Sequence, residues 1–518
     1  MRPSGVLRGK APPTAGALRV DWHHGPMKPT TILAAGLLLA STPSPQDAAP
    51  EAAPEPRGLT VRAEGAFEGY TLVAPLRTTR VLLLDMEGEI AHEWECGLPA
   101  AGGVYLLENG NLLYPARPAE NPRFKGGGIG GVLYEFTWDG ELVWTFELGD
   151  DFMTMHHDVE PLPNGNLLVI AWEHRFREDA IAFGRDPEAV EEAGMWPDCV
   201  LELKPTRPEG AEIVWEWHAW DHLVQDFDES AENYGVVADH PGRLDINYDH
   251  RDPAPMTEAE IARLEKVADD MAALGYTGGS DDEDDGEAPA PDSPLAGVPD
   301  WMHTNAVDYH PELDLIVLSS PELNEIFVID HALSTEEAMF EDAGRWGKGG
   351  AILWRWGNPV NYGAGRRTAR RLFYQHDPQW LLDGSGELKL TVYNNGGGRP
   401  SGDWSSIEEL VLPFTLEGGF EKEEGRAFGP RRPEWSYKRK GEFYSPFISG
   451  VQWLPNDSVL ICEGAPGRVF EVTRKGEKVW EWRNPIEGDA EVGTGGNAPP
   501  TALFRATRYA PDYPGLRF

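Results

Sequence analysis

The sequence has little cysteine and a deficit of positive charge. Only three cysteines occur in 518 residues, and none form a Cys-x-x-Cys pair, so neither a metal knuckle nor a dense disulfide framework is available. We expect Cys96, Cys199 and Cys462 to be buried free thiols rather than members of a disulfide. The net charge of −41 argues against nucleic acid or an anionic membrane surface as a partner.

The N-terminal region contains an apolar run too short to span a bilayer comfortably. Residues 27–41 read MKPTTILAAGLLLAS, the layout of a secretory signal peptide. We predict a non-native extension at 1–26, a signal peptide at 27–45 and a Pro/Ala-rich linker at 46–58. No lipobox cysteine follows. The pattern therefore predicts a periplasmic or secreted protein with no membrane insertion after signal cleavage.

Glycine, proline and tryptophan are plentiful, with 58, 44 and 19 residues, which suits short strands joined by tight turns. One hairpin pattern, typified by LPNGNLLV, recurs along the chain. Its five copies span residues 102–116, 157–171, 304–320, 376–393 and 449–464. Signals for a second hairpin, often ending in Trp-x-Trp, lie near residues 81, 132, 200, 325, 408 and 469. This repetition predicts an all-β, six-bladed propeller of four-stranded antiparallel sheets over 59–518, in preference to two unrelated β-sandwiches.

One segment, residues 225–300, breaks the repeat and is predicted to be an insertion on the propeller face. Within it, residues 256–276 have helical spacing, with Thr257 as a candidate N-cap. Residues 280–294 are acidic and proline-rich, which predicts disorder. They lack the central glycine and terminal glutamate of an EF-hand calcium loop.

Polar residues recur at the start of the innermost strand of each blade. Alignment of the hairpins places His157, Thr304, His376 and Ser449 at one position, with His156 and His303 one residue earlier and Asn305 one residue later than Thr304. Because the innermost strands of a propeller line its axis, we expect these side chains to share one axial pocket. The alternative is that each histidine caps a strand or bonds a carbonyl group.

Converging imidazoles admit more than one chemistry. They could bind zinc or copper, but threonine, serine and asparagine at equivalent positions suit anionic oxygens better. They could instead support covalent catalysis, in which a neutral imidazole attacks an electrophile and neighbouring groups stabilise the developing charge. Arg370 and Arg371 belong to a basic run that could bind an anion or be a solvated loop. Trp380 could stack on an aromatic substrate or pack between blades.

Four segments resemble bacterial arylsulfate sulfotransferases in family order: MHHDVEPLPNGNLLV (155–169), WMHTNAVDYHPELDLIVLSS (301–320), FYQHDPQWLLDGSGELKLTVYNNG (373–396) and FRATRYAPDYPGL (504–516). The resemblance implies a six-bladed propeller and ping-pong sulfuryl transfer from a phenolic sulfate ester to a phenol, without a cofactor or metal.

The resemblance also implies site residues. His376 would be transiently sulfated, His303 and Asn305 would hold the sulfuryl oxygens, and His157, rather than His156, would supply a further contact. Ser449 occupies a position where a hydroxyl could assist. One departure stands out: where the family commonly has Ser-Ser-Arg, this chain has Ser-Ser-Pro, ending at Pro321. Loss of that cation leaves a non-catalytic ligand- or partner-binding propeller as an alternative, unless Arg370 or Arg371 replaces it.

Overall fold

The computed structural model describes residues 56–118, 121, 123–250, 257–273, 299–488 and 500–518. The predicted extension, the signal peptide and residues 46–55 of the linker lie outside the described residues, as does the acidic stretch 280–294. No helix in the described part of the chain is long and apolar enough to cross a membrane.

Six antiparallel sheets form a ring, which confirms the predicted six-bladed β-propeller. The strands are β1 (Gly58–Arg62), β2 (Tyr70–Pro75), β3 (Arg80–Leu84), β4 (Ile90–Glu95), β5 (Tyr105–Leu106), β6 (Leu112–Ala116), β7 (Val132–Phe136), β8 (Leu142–Glu147), β9 (Met153–Pro161), β10 (Leu167–Glu173), β11 (Asp198–Pro205), β12 (Ala211–His218), β13 (Leu223–Val224), β14 (Leu244–Asp245), β15 (Ala306–His310), β16 (Leu315–Ser320), β17 (Glu325–Asp330), β18 (Trp354–Trp356), β19 (His376–Trp380), β20 (Lys389–Asn394), β21 (Ser406–Val411), β22 (Phe414–Thr415), β23 (Gly419–Phe420), β24 (Trp435–Lys438), β25 (Ser449–Trp453), β26 (Ser458–Glu463), β27 (Arg468–Thr473), β28 (Lys478–Arg483) and β29 (Leu503–Tyr509). Three α-helices accompany them: α1 (Arg177–Ala182), α2 (Glu258–Ala273) and α3 (Thr335–Ala338).

The blades follow the chain, except where the two ends close the ring. Blade 1 is β29-β2-β3-β4, so the C-terminal strand is its innermost member. Blades 2, 3 and 4 are β5–β8, β9–β12 and β15–β18, and blade 5 is β19-β20-β21-β24. Blade 6, β25–β28, gains β1 as a fifth, outer strand. Pairing of β29 with β2 joins the last segment of the chain to the first blade and so closes the ring.

Tryptophans in the outermost strands bind each blade to the next. Each indole N–H donates to a backbone carbonyl of the following blade, and the series closes on itself. The pairs are Trp94 to Thr137 (3.1 Å), Trp144 to Gly210 (2.8 Å), Trp217 to Gly350 (2.7 Å), Trp354 to Gly429 (2.7 Å), Trp435 to Arg474 (2.9 Å) and Trp480 to Met86 (2.9 Å). Tryptophans at the blade ends thus provide at least one indole hydrogen bond at every blade boundary.

This ring of bonds gives a stability prediction. Trp480→Phe removes the indole N–H at the boundary between blades 6 and 1 and leaves the buried Met86 carbonyl without its donor. We expect the free energy of unfolding to fall by about 1–3 kcal/mol in urea denaturation. Trp453→Phe is the control, because the N–H of that half-buried indole donates at 3.2 Å to Oδ1 of Asp457 within the same hairpin of blade 6. An equal loss in the two variants would contradict the role given to Trp480.

Carboxylates on the innermost strands add a second set of ties near the axis. The Oδ2 atoms of Asp158, Asp308 and Asp377 accept hydrogen bonds from the next blade. The donors are the backbone N–H groups of Val307 (3.2 Å), Trp380 (2.6 Å) and Val451 (2.7 Å). The ends of these strands, where the candidate site residues lie, are therefore held in register between blades.

The segment between β12 and β15 contains the short parallel pair β13–β14 and the predicted helix, which spans Glu258–Ala273 as α2. Leu264 and Val267 of α2 are buried. Val267 packs in one apolar cluster with Phe447, Ile448 and Phe504. The helix therefore lies over the propeller face on which the innermost strands of blades 1 and 6 begin.

All three cysteines are buried and free, as predicted. Burial raises the pKa of the Cys96 thiol to about 12 and the pKa values of Cys199 and Cys462 well above the ordinary value. The three thiols are side chains of the packed interior.

Candidate active site

Irregular backbone at the starts of the innermost strands positions the three histidines. In β9, His156, His157 and Asp158 together stand opposite the single residue Ile170, and His157 has a φ of 56°. His303 precedes β15 with a φ of 51°. Non-glycine residues seldom adopt this left-handed backbone, and it is typical of functional sites. His376 is the first residue of β19.

The structure brings His157, His303 and His376 together at the axis. The imidazole centroids of His157 and His303 are 4.4 Å apart, and all three residues are at most 3% exposed. Phe504 packs against both His157 and His376. Its ring centroid is 6.3 Å from that of His157 and 6.4 Å from that of His376. Gly128 lies against His157 so closely that a Cβ atom there would come within 2.3 Å of the imidazole.

His376 is a neutral imidazole whose tautomer is fixed. Its Nδ1 lies 2.9 Å from Oδ1 of Asn395 and 3.2 Å from the Tyr374 carbonyl oxygen. Because both partners only accept hydrogen bonds, Nδ1 carries the hydrogen and Nε2 carries the lone pair. Burial lowers the pKa of His376 to about 3, assisted by the charges of His303 and Arg505 and opposed by the two hydrogen bonds. At neutral pH, His376 is thus a candidate nucleophile.

The surroundings of His303, unlike those of His376, favour the protonated form of the imidazole. Its Nδ1 makes a short contact with Oδ2 of Asp300, and Oδ1 of the same carboxylate accepts from the His303 backbone N–H at 3.1 Å. Burial disfavours the imidazolium, but the charge and hydrogen bond of Asp300 outweigh burial and raise the pKa of His303. The Trp172 indole donates to Oδ1 of Asp300 at 2.9 Å and fixes the carboxylate. A positive charge is therefore favoured at His303.

His156 supports His157. The Nδ1 atoms of the two rings are 2.8 Å apart, so one of them donates to the other. His156 stacks on Trp172 at 4.1 Å, and its Nε2 lies 3.2 Å from Oδ1 of Asp198, although not at hydrogen-bonding geometry. Burial, together with the charges of His303, His156 and His376, lowers the pKa of His157 well below its ordinary value. His157 is neutral beside the cationic His303.

Two polar side chains at the site have unused acceptor capacity. Nδ2 of Asn305 donates to the Gln375 carbonyl at 2.9 Å, while Oδ1 of Asn305 and the hydroxyl of Thr304 are buried without a partner among the described residues. The Ser449 hydroxyl donates to Oδ1 of Asn395 at 3.2 Å, so Ser449 acts on His376 through Asn395. Unpartnered polar atoms in a buried pocket suit a polar ligand.

The remaining predicted residues lie elsewhere. The Trp380 ring packs between blades 4 and 5, in an apolar cluster with Trp354 and Leu390, and 5.2 Å from His310. Arg371 lines a separate cavity of about 720 Å³ with Trp356 and Phe428. The guanidinium of Arg370 lies 4.6 Å from the Phe373 ring centroid, three residues before His376. Among the contacts of the described residues, none joins these three side chains to the imidazoles of His157, His303 and His376.

Asp300 and Asn395, which pair with His303 and His376, were missed from sequence, as was Arg505. Asp300 lies three residues before His303, and Asn395 ends the Tyr-Asn-Asn motif of β20, so both were within the quoted segments or beside them. Arg505 spans the axis: its Nη2 lies 2.9 Å from Asp158 and its Nε 3.2 Å from Asp377. Arg505 is paired with two carboxylates and therefore joins blades 1, 3 and 5. Because its charge is neutralised in this way, Arg505 is not a free cation for binding an anion.

The arrangement of donor groups bears on the metal alternative. Within the described ranges, no group of three or more histidine, cysteine, aspartate or glutamate side chains is arranged to hold a metal ion. His303 and His376 instead direct their Nδ1 atoms to protein acceptors.

The chain is similar to several solved structures at low sequence identity. A protein of unknown function from Bacteroides caccae is 12% identical, with 85% of this chain and 98% of that chain covered and a TM-score of 0.39. A catalytically inactive virginiamycin B lyase from Staphylococcus aureus is 8% identical, with 84% and 85% covered and a TM-score of 0.34. These likenesses are too weak to carry a functional argument. No curated protein matches the chain.

The family of the chain is shown by its match to a protein-family model. The model of the family described as arylsulfotransferase (ASST) matches residues 74–409, more than half of the chain. That range contains the axial histidines and their partners Asp300 and Asn395. The chain belongs to the arylsulfotransferase family.

Proposed function

We propose that the protein transfers a sulfuryl group from a phenolic sulfate ester to a phenol through a sulfohistidine at His376. Membership of the arylsulfotransferase family supports a sulfotransferase acting on small aryl substrates. The observation that carries the finer proposal is the pairing of Nδ1 of His376 with Asn395, which leaves the Nε2 lone pair for attack on sulfur. Attack by a neutral, buried imidazole needs no prior deprotonation at neutral pH.

In the first half-reaction, Nε2 of His376 forms a bond to sulfur while the bond from sulfur to the phenolic oxygen breaks. The leaving oxygen takes the bonding electrons and accepts a proton from the His303 imidazolium. Oδ1 of Asn305 is not a donor and the one free N–H of His303 faces the leaving oxygen, so we assign the contact with the sulfuryl oxygens to an N–H group of His157. This hydrogen bond strengthens as charge develops in the transition state.

In the second half-reaction, the acceptor phenol replaces the departed one. Its oxygen forms a bond to sulfur and its proton passes to the now neutral His303, while the electrons of the N–S bond return to Nε2 of His376. The charge on His303 is thereby restored, and no cofactor is consumed. Asp300 favours the imidazolium at the beginning and end of this cycle.

A further role of His303 concerns the arginine that the family commonly has after Ser-Ser and that this chain lacks. Pro321 lies in the turn between β16 and β17, where its carbonyl accepts from Asn324 at 2.9 Å. We propose that the His303 imidazolium provides the positive charge that the Ser-Ser-Pro sequence lacks. Arg370, beside Phe373, is a second candidate; Arg371 lines a different cavity.

We also propose that the protein is exported by a signal peptide at 27–45 and acts in the periplasm or outside the cell. Residues 225–300 would be an insertion in the propeller domain 59–518, and α2 within it lies against the face that carries the site.

A transfer assay tests the proposed function. Purified protein with 4-nitrophenyl sulfate is expected to release 4-nitrophenol faster when phenol is added, because the acceptor discharges the covalent intermediate. Phenyl sulfate should accumulate in equal amount, as measured by chromatography. Release of inorganic sulfate without phenyl sulfate would identify a hydrolase, and no release would favour the non-catalytic propeller.

A further inference from the structure

A cationic and aromatic cluster lies beside the segment that begins with His376. The Arg399 guanidinium is 3.7 Å from the Trp404 ring centroid and 4.9 Å from that of Phe373. Arg370 lies on the same Phe373 ring at 4.6 Å. Two guanidinium groups thus share one aromatic side chain, in a protein whose net charge is −41. Such an arrangement places two like charges close together.

Arg399 is buried without the hydrogen bonds that a guanidinium requires. It is 7% exposed, and its Nε and Nη2 atoms have no acceptor among the described residues. The indole N–H of Trp404 also lacks one within the described ranges. Stacking on aromatic faces offsets part of the loss of hydration, but it leaves N–H donors without the acceptors that buried donors require.

Nearby groups do not neutralise Arg399. The carboxylate of Glu408 is close enough to raise its pKa, and Tyr444 acts in the same direction, but Oε1 of Glu408 accepts from the Ser406 hydroxyl at 2.7 Å. Burial, assisted by the charge of Arg370, lowers the pKa of Arg399 to about 10. Arg399 is therefore still a cation at neutral pH, with donors available for an anion.

The cluster adjoins the site through its backbone. Asn395, which bonds His376, begins the loop that carries Arg399, and the next residue, Gly396, donates to the Phe373 carbonyl at 2.8 Å. Gly398 lies against Leu264 of α2, so a Cβ atom there would come within 2.6 Å of that side chain. The loop that carries the cluster thus contacts both the segment before His376 and the helix α2.

We propose that Arg399, with Trp404 and Arg370, binds an anionic substituent on the aromatic ring of the substrate, such as a carboxylate or sulfonate. This inference rests on the proposed function: the sulfuryl group lies at His376, and the ring extends toward the cluster. A planar guanidinium can bind a carboxylate or sulfonate through two parallel hydrogen bonds. The preferred substrates are then aryl sulfates with a second negative charge.

Donor selectivity tests the proposal. Wild-type protein is expected to use 4-(sulfooxy)benzoate with a higher kcat/KM than its uncharged methyl ester. Arg399→Met should lower the ratio of the two kcat/KM values by about tenfold or more, because a charge-assisted contact is lost. Arg399→Lys should restore part of the ratio, since it keeps the charge without the planar fork. An unchanged ratio in Arg399→Met would overturn the proposal.

Arg439→Met provides the matched control. That arginine also stacks on an aromatic ring, at 5.1 Å from the Tyr437 centroid, but it is exposed at the outer edge of blade 5. Its substitution should leave the selectivity ratio unchanged. A similar decrease in both variants would show that the effect reflects net charge alone, which would overturn the assignment to Arg399.

A binding measurement separates this proposal from the proposed function. 4-Sulfobenzoate and benzenesulfonate have no transferable sulfuryl group, so calorimetry with them does not depend on catalysis. We expect the dianion to bind more tightly than the monoanion in wild type, and this advantage to disappear in Arg399→Met. If no sulfate ester is a donor, the proposed function fails while this result can still hold; if the advantage persists in Arg399→Met, the subsite is refuted.

Discussion

His376→Ala is expected to lower kcat/KM for 4-nitrophenyl sulfate by roughly 10⁴-fold or more. The substitution removes the only group to which we assign nucleophilic attack, and loss of a nucleophile commonly costs this much. The pairing of Nδ1 of His376 with Asn395 and with the Tyr374 carbonyl leaves its Nε2 lone pair for the attack that the variant lacks. Stopped-flow release of 4-nitrophenol, without an acceptor, measures the first half-reaction directly.

His92→Ala is the matched control for this experiment. His92 lies in the outermost strand of blade 1 and stacks on Trp138 of blade 2, with ring centroids 4.1 Å apart. It should retain wild-type rates. If His376→Ala were as active as wild type while remaining folded by circular dichroism, the assignment of His376 as the nucleophile would be wrong.

Asp300→Asn is expected to lower donor kcat/KM at pH 7 on the order of 10²-fold and to change its pH dependence. In wild type, kcat/KM should be high while His303 is protonated and should fall as pH rises through the pKa of His303, which Asp300 raises above 6.5. At the acid end it should fall only near pH 3, where His376 becomes protonated. Without the carboxylate, the alkaline limb should move toward lower pH by about one to three units.

Asp314→Asn supplies a control of the same chemistry. Asp314 pairs with His331 at 2.6 Å on blade 4, away from the axial histidines, and raises the pKa of that imidazole together with Glu202. Its removal should leave the pH profile of transfer in place. An alkaline limb unaffected by Asp300→Asn would contradict the role of His303 as the proton donor.

The fold was accessible from sequence because its repeat is local. Each hairpin places alternating apolar residues and a turn within about twenty residues, as in 157–171 and 304–320, so the blade can be identified from one segment. Closure of the ring could not be predicted in the same way. The pairing of β29 with β2, and of β1 with β28, joins segments about 430 residues apart, and nothing in either strand specifies its partner.

The site was predictable in its members but not in its electrostatics. The shared register indicated that His157, His303 and His376 would meet, yet it treated His157 and His376 as equivalent. The backbone shows otherwise: His157 and His303 are left-handed, and around His376 the left-handed residues are Tyr374 and Asp377. The pKa of His303 is raised by Asp300, whereas burial lowers the pKa of His376, and both effects depend on side-chain surroundings that the register does not specify.

Trp380 illustrates a further limit. Its position four residues after His376 suggested a platform for an aromatic substrate. Residues along a strand alternate between faces, and the bulge at residues 377–378 shifts this alternation. The Trp380 ring consequently packs against Leu390 and Trp354 between blades.

The most direct test of the account is peptide mass spectrometry after a brief exposure of the protein to 4-nitrophenyl sulfate without an acceptor. We predict one sulfuryl adduct per chain, on the peptide containing His376, which disappears when phenol is added and does not form in His376→Ala. An adduct on another residue, or full transfer activity with no covalent adduct at any time point, would contradict the proposed mechanism.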